Sequence, residues 1–363
     1  MPHHVPRDIL YNFEYERRLK ACFIGAGGHA YRNVYPTFRY APVDLAAICD
    51  LSEQRAAGFA RVFGAEHTYS DHHAMLAAEK PDVVFIVTNY TEDGHVRATA
   101  LARDCVEAGA HVWMEKPTAA TRAEVENLIA VSARTGKTIM TGLKKTFFPA
   151  VEKLKDIITA PEFGRLSSLT VRYPQGLPPP EQRHDLVAMQ HFIDHIYHPG
   201  AILNFLGGEI DRASFEWEPV NGATITSIRF KSGAVGALHM TAGQSWAGPL
   251  ERIEAIGEGS HAVVENGVKL THYRKAALPS YGRASSWIQP EESATVLYEP
   301  EFSLGQLYNN NMFTLGYAPE VLHFCEAVLA GRPVTKGTLA TALEIMKLYD
   351  FYAGTPHGVS AAI

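Results

Sequence analysis

Between Leu19 and about Gly142 short apolar runs alternate with longer helical patterns, and no feature of the chain constrains its fold more. The runs are "LKACFIGAGG", "VDLAAICD", "DVVFIVTN", "HVWMEKP" and "TIMTG", separated by helix-like segments near residues 52–63, 72–79, 96–108 and 119–135. Strands that lack polar alternation are buried on both faces. They therefore belong to a parallel sheet covered by helices and joined by right-handed crossovers. The pattern predicts a doubly wound α/β domain over residues 19–142, preceded by an N-terminal arm at residues 1–18.

After about residue 160 the pattern changes. "RLSSLTVRY", "DRASFEWEP", "ATITSIRF", "AVGALHMTAG", "LERIEAIGE" and "HAVVENGVKLTHY" read as strands, several alternating, with turn pairs such as "KSG" and "ENG". Residues 143–363 are expected to form an α+β domain with an open, mainly antiparallel sheet. Two helical patterns, "APEVLHFCEAVLAG" and "GTLATALEIMKLYDFYAG", follow, each ending on a glycine suited to a C-terminal cap. Residues 276–318 are long, aromatic and poor in pattern, which suits a lid or a subunit contact.

A chain of 363 residues is too long for one ordinary core, and two domains are expected. With 46% hydrophobic and 20% charged residues, wholesale disorder is excluded. No run approaches the ~18 apolar residues of a membrane span, and the N-terminal stretch lacks the apolar core of a secretory signal, so a cytoplasmic location is expected. Cys22, Cys49, Cys105 and Cys325 are scattered and read as reduced thiols, with no CxxC metal site. A net charge of -6 argues against nucleic-acid binding, which needs a basic face. The pairs His3-His4 and His72-His73 read as exposed and are assigned no function.

The run "CFIGAGGHA" places Gly25, Gly27 and Ala30 in a G-x-G-x-x-G/A pattern after a strand, with Ala26 inside the turn and a helical segment following. Gly25 permits the tight turn, Gly27 lets backbone approach a pyrophosphate, and Ala30 lets helix and strand pack closely. The amides of Gly28 and His29 then point at phosphate from a helix start. Asp50, at the end of the second strand, suits the two ribose hydroxyls and repels a 2′-phosphate, so NAD is expected over NADP.

Ligands of open α/β sheets lie beyond the carboxyl ends of the strands, which puts Glu115 and Lys116, just past "HVWM", at the mouth of such a site. Here the residues resemble the glucose-fructose oxidoreductase / inositol dehydrogenase (Gfo/Idh/MocA) family. The likeness runs from "GAGGHA" through "PDVVFIVT", "EAGAHVWMEKP" and "FFPAVEKLKDII" to "APEVLHFCEAVLAGRPV", nearly all of residues 19–355. It implies a Rossmann domain followed by an α/β domain with an open antiparallel sheet.

The resemblance implies an NAD-dependent dehydrogenase acting on a secondary hydroxyl of a sugar, sugar acid or cyclitol. Relatives that are redox-assisted hydrolases or lyases, or regulatory NAD-binding proteins, are the alternatives. Lys116 takes the place of the family lysine beside the reacting hydroxyl, and a cis Lys116–Pro117 bond is expected. "DHIYHPGAILNFLGG" supplies the family's Asp and His as Asp194 and His198, which share a helix face; Pro199 puts His198 near a helix start. Either Lys116 or His198 can be the proton acceptor.

The loop "TNYTEDGH" is longer than the family's usual connection, so Thr88 is a cofactor contact while Asn89 and His95 compete to reach the nicotinamide. "LKKTFFP" replaces the usual Asn and Arg. Lys144, with His195, is a candidate substrate contact, although solvated lysines are the plainer reading. His191, Asp194, His195 and His198 have helical ligand spacing, but the family needs no metal and none is expected. Family members commonly assemble through the sheet of the second domain, which implies a homodimer or homotetramer.

Overall fold

The computed structural model describes residues 15–245, 247–275, 295–299 and 310–363. Most of the arm at 1–18 and of the 276–318 segment lies outside them. The chain divides into two compact units, residues 1–144 with 316–343, and residues 145–315 with 344–363.

In the first unit, strands β1 (Leu19–Ile24), β2 (Val43–Cys49), β3 (His67–Tyr69), β4 (Val83–Ile86), β5 (His111–Glu115) and β6 (Ile139–Gly142) form one sheet in the order β3-β2-β1-β4-β5-β6. Every pairing is parallel. This is the doubly wound order, and the switch point between β1 and β4 opens a crevice at the carboxyl ends of the strands. β4 is buried along its whole length, as an unalternating apolar run requires. Three of the crossover helices start on side-chain caps: Ser52 accepts from Arg55, Asp71 from His73 and Ala74, and Thr121 with Glu124 forms a capping box.

Two features of this unit depart from the sequence expectation. The segment after the glycine turn is not a regular α-helix: a π turn (Ala30–Val34) runs into a 3-10 turn (Tyr35–Arg39). Pro36 has no amide to donate to a fourth-previous carbonyl, which breaks the α ladder there. Residues 316–343, expected with the substrate domain, also belong to this unit. In the helix Tyr317–Leu329 the ring of Phe324 meets Phe85 of β4 edge to face at 5.8 Å, and Val321, Phe324 and Cys325 are buried. At the sheet edge the Gly337 carbonyl then accepts a hydrogen bond from the Thr141 amide at 2.7 Å.

In the second unit, β7 (Ser168–Tyr173), β8 (Ile210–Trp217), β9 (Thr224–Phe230), β10 (Val235–Met240), β11 (Arg252–Ile256), β12 (His261–Glu265), β13 (Lys269–Tyr273), β14 (Val296–Tyr298) and β15 (Ala361–Ala362) form a sheet. Its order is β14-β13-β12-β11-β7-β10-β9-β8-β15. All pairings are antiparallel except β10 with β7. β9 alternates strictly, with Thr224, Thr226, Ile228 and Phe230 buried and Ile225, Ser227 and Arg229 exposed. The helix Gln190–Gly207 covers the inner face, joined by Tyr349 and Tyr352, whose rings lie 6.0 and 5.6 Å from Phe192. The outer face keeps apolar side chains in the open, among them Ile225 and Val235 at 60% and 53% exposure.

Candidate functional site

The glycine turn is built by close backbone approach. Gly25 has φ +114, and a Cβ there would stand 1.9 Å from the Val87 carbonyl oxygen beyond β4. No other residue fits. Its amide donates to the Cys49 carbonyl at 2.8 Å, and Tyr35, stacked between Phe23 and Phe63, donates its hydroxyl to the Gly25 carbonyl at 3.1 Å. Gly27 and Gly28 are exposed, with open space where a side chain would be. The Ala26 amide is committed to Asp50 Oδ2 at 2.8 Å, and so is not aimed at a phosphate.

Asp50 Oδ1 accepts from the Ser52 amide at 2.8 Å and from Arg55 Nη2 at 2.7 Å. Burial alone would raise its pKa. The hydrogen bonds from Ser52, Ala26 and Arg55 outweigh that and hold the carboxyl below its ordinary range, so it is ionised near neutral pH. At the end of β4 the Thr88 hydroxyl is buried with no hydrogen-bond partner, as expected of a group awaiting a ligand. The open glycines, the ionised acid at the end of β2 and this orphaned hydroxyl fit a dinucleotide.

The loop after Thr88 folds on itself: the Thr91 amide donates to the His95 carbonyl at 2.8 Å, and Tyr90 bridges Val96. Asn89 is exposed. His95 is tied by Nδ1 to Glu124 Oε1 at 2.8 Å, the same carboxylate that caps the helix Arg122–Thr135.

Glu115 and Lys116 stand half-buried at the end of β5, and the Lys116–Pro117 bond is cis, as expected. His29 Nε2 lies 3.7 Å from Glu115 Oε1, and Gly142 leaves room for the same carboxylate, whose Oε2 would be 2.9 Å from an added Cβ. The sequence reading missed two further residues of this cluster. Tyr317 packs its ring 5.9 Å from that of His29 and accepts a 2.7 Å hydrogen bond from Lys144, whose ammonium also lies over the ring at 4.3 Å. Lys144, a candidate substrate contact, is thus engaged inside the first unit.

Glu320, one turn further along the helix, is fully buried. Burial, reinforced by Glu115 and opposed by Lys144, the Leu143 amide and Lys336, pushes its carboxyl well above the ordinary range and leaves it neutral. No signal in "APEVLHF" marks this acid as internal, because glutamate near a helix start is ordinary on a surface.

In the second unit, Asp194, His195 and His198 occupy the helix Gln190–Gly207. Here the expectation of a helix start at His198 is corrected. Two turns precede it, and Pro199 lies inside the helix, denying only the His195 carbonyl its bond. His198 and His195 approach the buried Tyr173 ring at 5.8 and 6.4 Å, so the two histidines border one aromatic wall. His195 Nδ1 lies 3.0 Å from the His191 carbonyl, and the two imidazoles stack at 4.2 Å. Among the described residues the side chains of His191, Asp194, His195 and His198 do not converge as a metal set.

Lys145, read as solvated, is largely buried: it pairs with Glu251, and its ammonium lies 5.0 Å from the Tyr173 ring centre. Burial lowers its pKa, and Glu251 pulls it back up. The Tyr173 phenol is pushed far up by burial, with Glu251 and Asp194 adding to the rise. It is a neutral hydrogen-bonding group at working pH.

The parallel sheet, its glycine turn and the acid at the end of β2 define a dinucleotide-binding domain. Residues 19–143 of the 363 match the GFO_IDH_MocA family, described as an oxidoreductase family with an NAD-binding Rossmann fold. It is 25% identical to myo-inositol 2-dehydrogenase of Thermotoga maritima over 61% of this chain and 68% of that one. To D-apiose dehydrogenase of Paraburkholderia graminis it is 28% identical over 57% of this chain, spanning about half (54%) of that relative. Its fold is that of an oxidoreductase from Agrobacterium radiobacter solved in complex with NAD+, L-tartaric acid and magnesium. That match has a TM-score of 0.75 at 15% identity and covers 95% of this chain and 98% of that one. No helix among the described residues is long and apolar enough to cross a membrane.

Proposed function

We propose that this protein oxidises a secondary hydroxyl of a sugar, sugar acid or cyclitol with NAD as the hydride acceptor. The observation that carries the reading is the edge formed by Gly25, Gly27, Asp50 and Thr88, with Glu115 and Lys116 at the end of the neighbouring strand. The relatives named for myo-inositol and D-apiose support the substrate class. In this reading Gly27, Gly28 and His29 hold the pyrophosphate and Asp50 the adenosine ribose. Thr88, with Asn89 or His95, serves the nicotinamide half.

When bound, NAD supplies the electrophilic carbon that takes the hydride. The chain's own task is the proton. Hydride leaves the substrate carbon only as its hydroxyl is deprotonated, so an acceptor must stand within ~2.6–3.2 Å of that oxygen. His198 is assigned that role, Lys116 stabilises the developing alkoxide, and Asp194 orients the imidazole or grips a neighbouring hydroxyl. His195, beside the Tyr173 wall, is assigned a substrate hydroxyl.

Self-association through the outer face of the second sheet is part of the proposal. Ile225, Val235, Ile256 and Tyr273 stand exposed on β9, β10, β11 and β13 of that face, apolar side chains that a partner subunit could cover. A cytoplasmic location accords with four free, buried thiols.

The test is to screen purified protein and NAD against polyols, inositols, uronates and glycosides, following absorbance of the reduced cofactor. Accumulation with one member of the panel supports the reading. Turnover without net reduced cofactor, or binding of NAD with no turnover on any class, overturns it.

A further inference from the structure

The helices His72–Glu79 and Arg97–Glu107 of the first unit bring together a side-chain cluster that the cofactor chemistry does not use. His72 Nε2 lies 3.1 Å from Asp104 Oδ2, and His73 Nε2 lies 3.8 Å from the same oxygen. One donor atom from each of the three residues falls within 4.8 Å of the others. Zinc holds nitrogen and oxygen ligands at ~2.0–2.2 Å, which in a tetrahedron places ligand atoms about 3.3–3.5 Å apart. The two observed separations bracket that value.

The surroundings resemble a built site rather than a chance meeting on a surface. The other nitrogen of His72, Nδ1, lies on the side of Asp71, 3.9 Å from its Oδ1 and beyond direct hydrogen-bond reach. Asp71 is itself held as a helix cap by the amides of His73 and Ala74. The second oxygen of Asp104, Oδ1, is occupied by Arg103 Nη2 at 3.2 Å, which leaves Oδ2 turned to the histidines. His73 and Asp104 also line a cleft of about 670 Å³, together with Leu76, Lys80, Asp82 and His111. A fourth coordination position thus has room for water or a small anion.

We propose that His72, His73 and Asp104 form a binding site for a divalent cation of the zinc class, clamping the two helices and leaving one position open. Two imidazoles and one carboxylate suit zinc, nickel or copper rather than calcium or magnesium, which prefer all-oxygen sets. Binding replaces the His72–Asp104 hydrogen bond: Nε2 takes the metal with its lone pair, and the neutral imidazole keeps its single proton on Nδ1. The inference does not depend on the dehydrogenase reading, because its residues belong neither to the glycine turn nor to the β5 strand end.

The experiment is calorimetric titration of the tag-free protein with ZnCl2, with Co2+ absorption as a coordination signature and a thermal melt with and without metal. One Zn2+ per chain is expected, with a four-coordinate cobalt band and a raised melting midpoint. His73→Ala and Asp104→Asn are each expected to weaken binding by about tenfold or more. His191→Ala, in the other histidine cluster, is expected to leave it unaltered. NAD binding reports that each variant is folded. No saturable binding by the wild type, or unaltered binding in both the His73 and the Asp104 variant, would overturn the proposal; so would loss of binding in the His191 variant alone.

Discussion

The amide of Ala26 donates to Asp50 Oδ2 at 2.8 Å, so the turn after the first strand and the acid after the second are one hydrogen-bonded unit. Arg55, from the first turn of the next helix, closes that unit on the other carboxylate oxygen. An acid fixed from both sides and held ionised keeps its charge at the end of the second strand, where the proposed function puts the adenosine ribose.

Cofactor choice follows from this arrangement. Asp50→Ser removes the ribose acceptor and the repelling charge, and also frees the Arg55 guanidinium, which is suited to phosphate. The ratio of NADP to NAD affinity is expected to rise by at least about tenfold, or about 1.4 kcal/mol. Calorimetry with both nucleotides measures it, and an unmoved ratio would remove Asp50 from the selectivity account.

Five of the six strands of the first sheet were legible because burial on both faces writes itself as unbroken apolar letters, and "VVFI" needs no partner to be recognised; the edge strand β3, with no buried residue, leaves no such run. Where a helix goes after it forms is different information. "APEVLHFCEAVLAG" shows an apolar stripe, but whether Phe324 covers Phe85 or the other sheet is a matter of tertiary packing. Pro199 misled for a local reason: proline favours first turns statistically, while here the surrounding burial of Ile196, Tyr197, Gly200 and Ala201 outweighs one lost hydrogen bond. Glu320, Tyr317 and the burial of Lys145 lay beyond the sequence because each is polar by composition and internal only by neighbourhood. Gly25 could be read because close backbone approach at a positive φ requires that residue type.

Glu320 gives a pH prediction whose sign is set by its raised pKa. The unfolded glutamate titrates near ~4.3. Above that pH the unfolded chain has lost the proton while the folded chain keeps it, so stability falls as pH rises until the folded pKa is passed. The slope approaches about 1.4 kcal/mol per pH unit for a single group. Glu320→Gln keeps the shape and removes the titration. Its melting midpoint is expected to match wild type near the unfolded pKa and to exceed it increasingly as pH rises above that value. A parallel pH dependence in the two proteins would show that Glu320 is not the group responsible.

In the second unit the Lys145–Glu251 pair is the comparable liability. Removing one partner strands a largely buried charge, so Lys145→Met is expected to destabilise by on the order of 3 kcal/mol. Replacing both, as Lys145→Met with Glu251→Leu, should recover most of that loss, since an apolar pair pays no desolvation. Denaturant melts of the two singles and the double close the cycle. A double variant as damaged as the sum of its singles would mean that the two side chains are not coupled and that each acts on its own.

The catalytic assignment predicts a separation of turnover from cofactor binding. Lys116 follows the β5 strand end and His198 lies in the helix Gln190–Gly207, whereas the groups assigned to the pyrophosphate and adenosine ribose, Gly27, Gly28 and Asp50, lie at the ends of β1 and β2. Loss of a positioned acid or base costs ~10²–10⁴-fold in rate. Lys116→Ala and His198→Ala are therefore each expected to lower kcat by that range on an identified substrate, with NAD affinity changed by less than about threefold, under ~0.7 kcal/mol. The two differ in pH behaviour: if His198 is the acceptor, its loss removes the acidic limb of the kcat profile, while Lys116→Ala leaves that limb in place and lowers the whole curve. If Lys116→Ala removes the limb instead, the two roles are exchanged. Near wild-type turnover in both variants would take these residues out of the chemistry altogether.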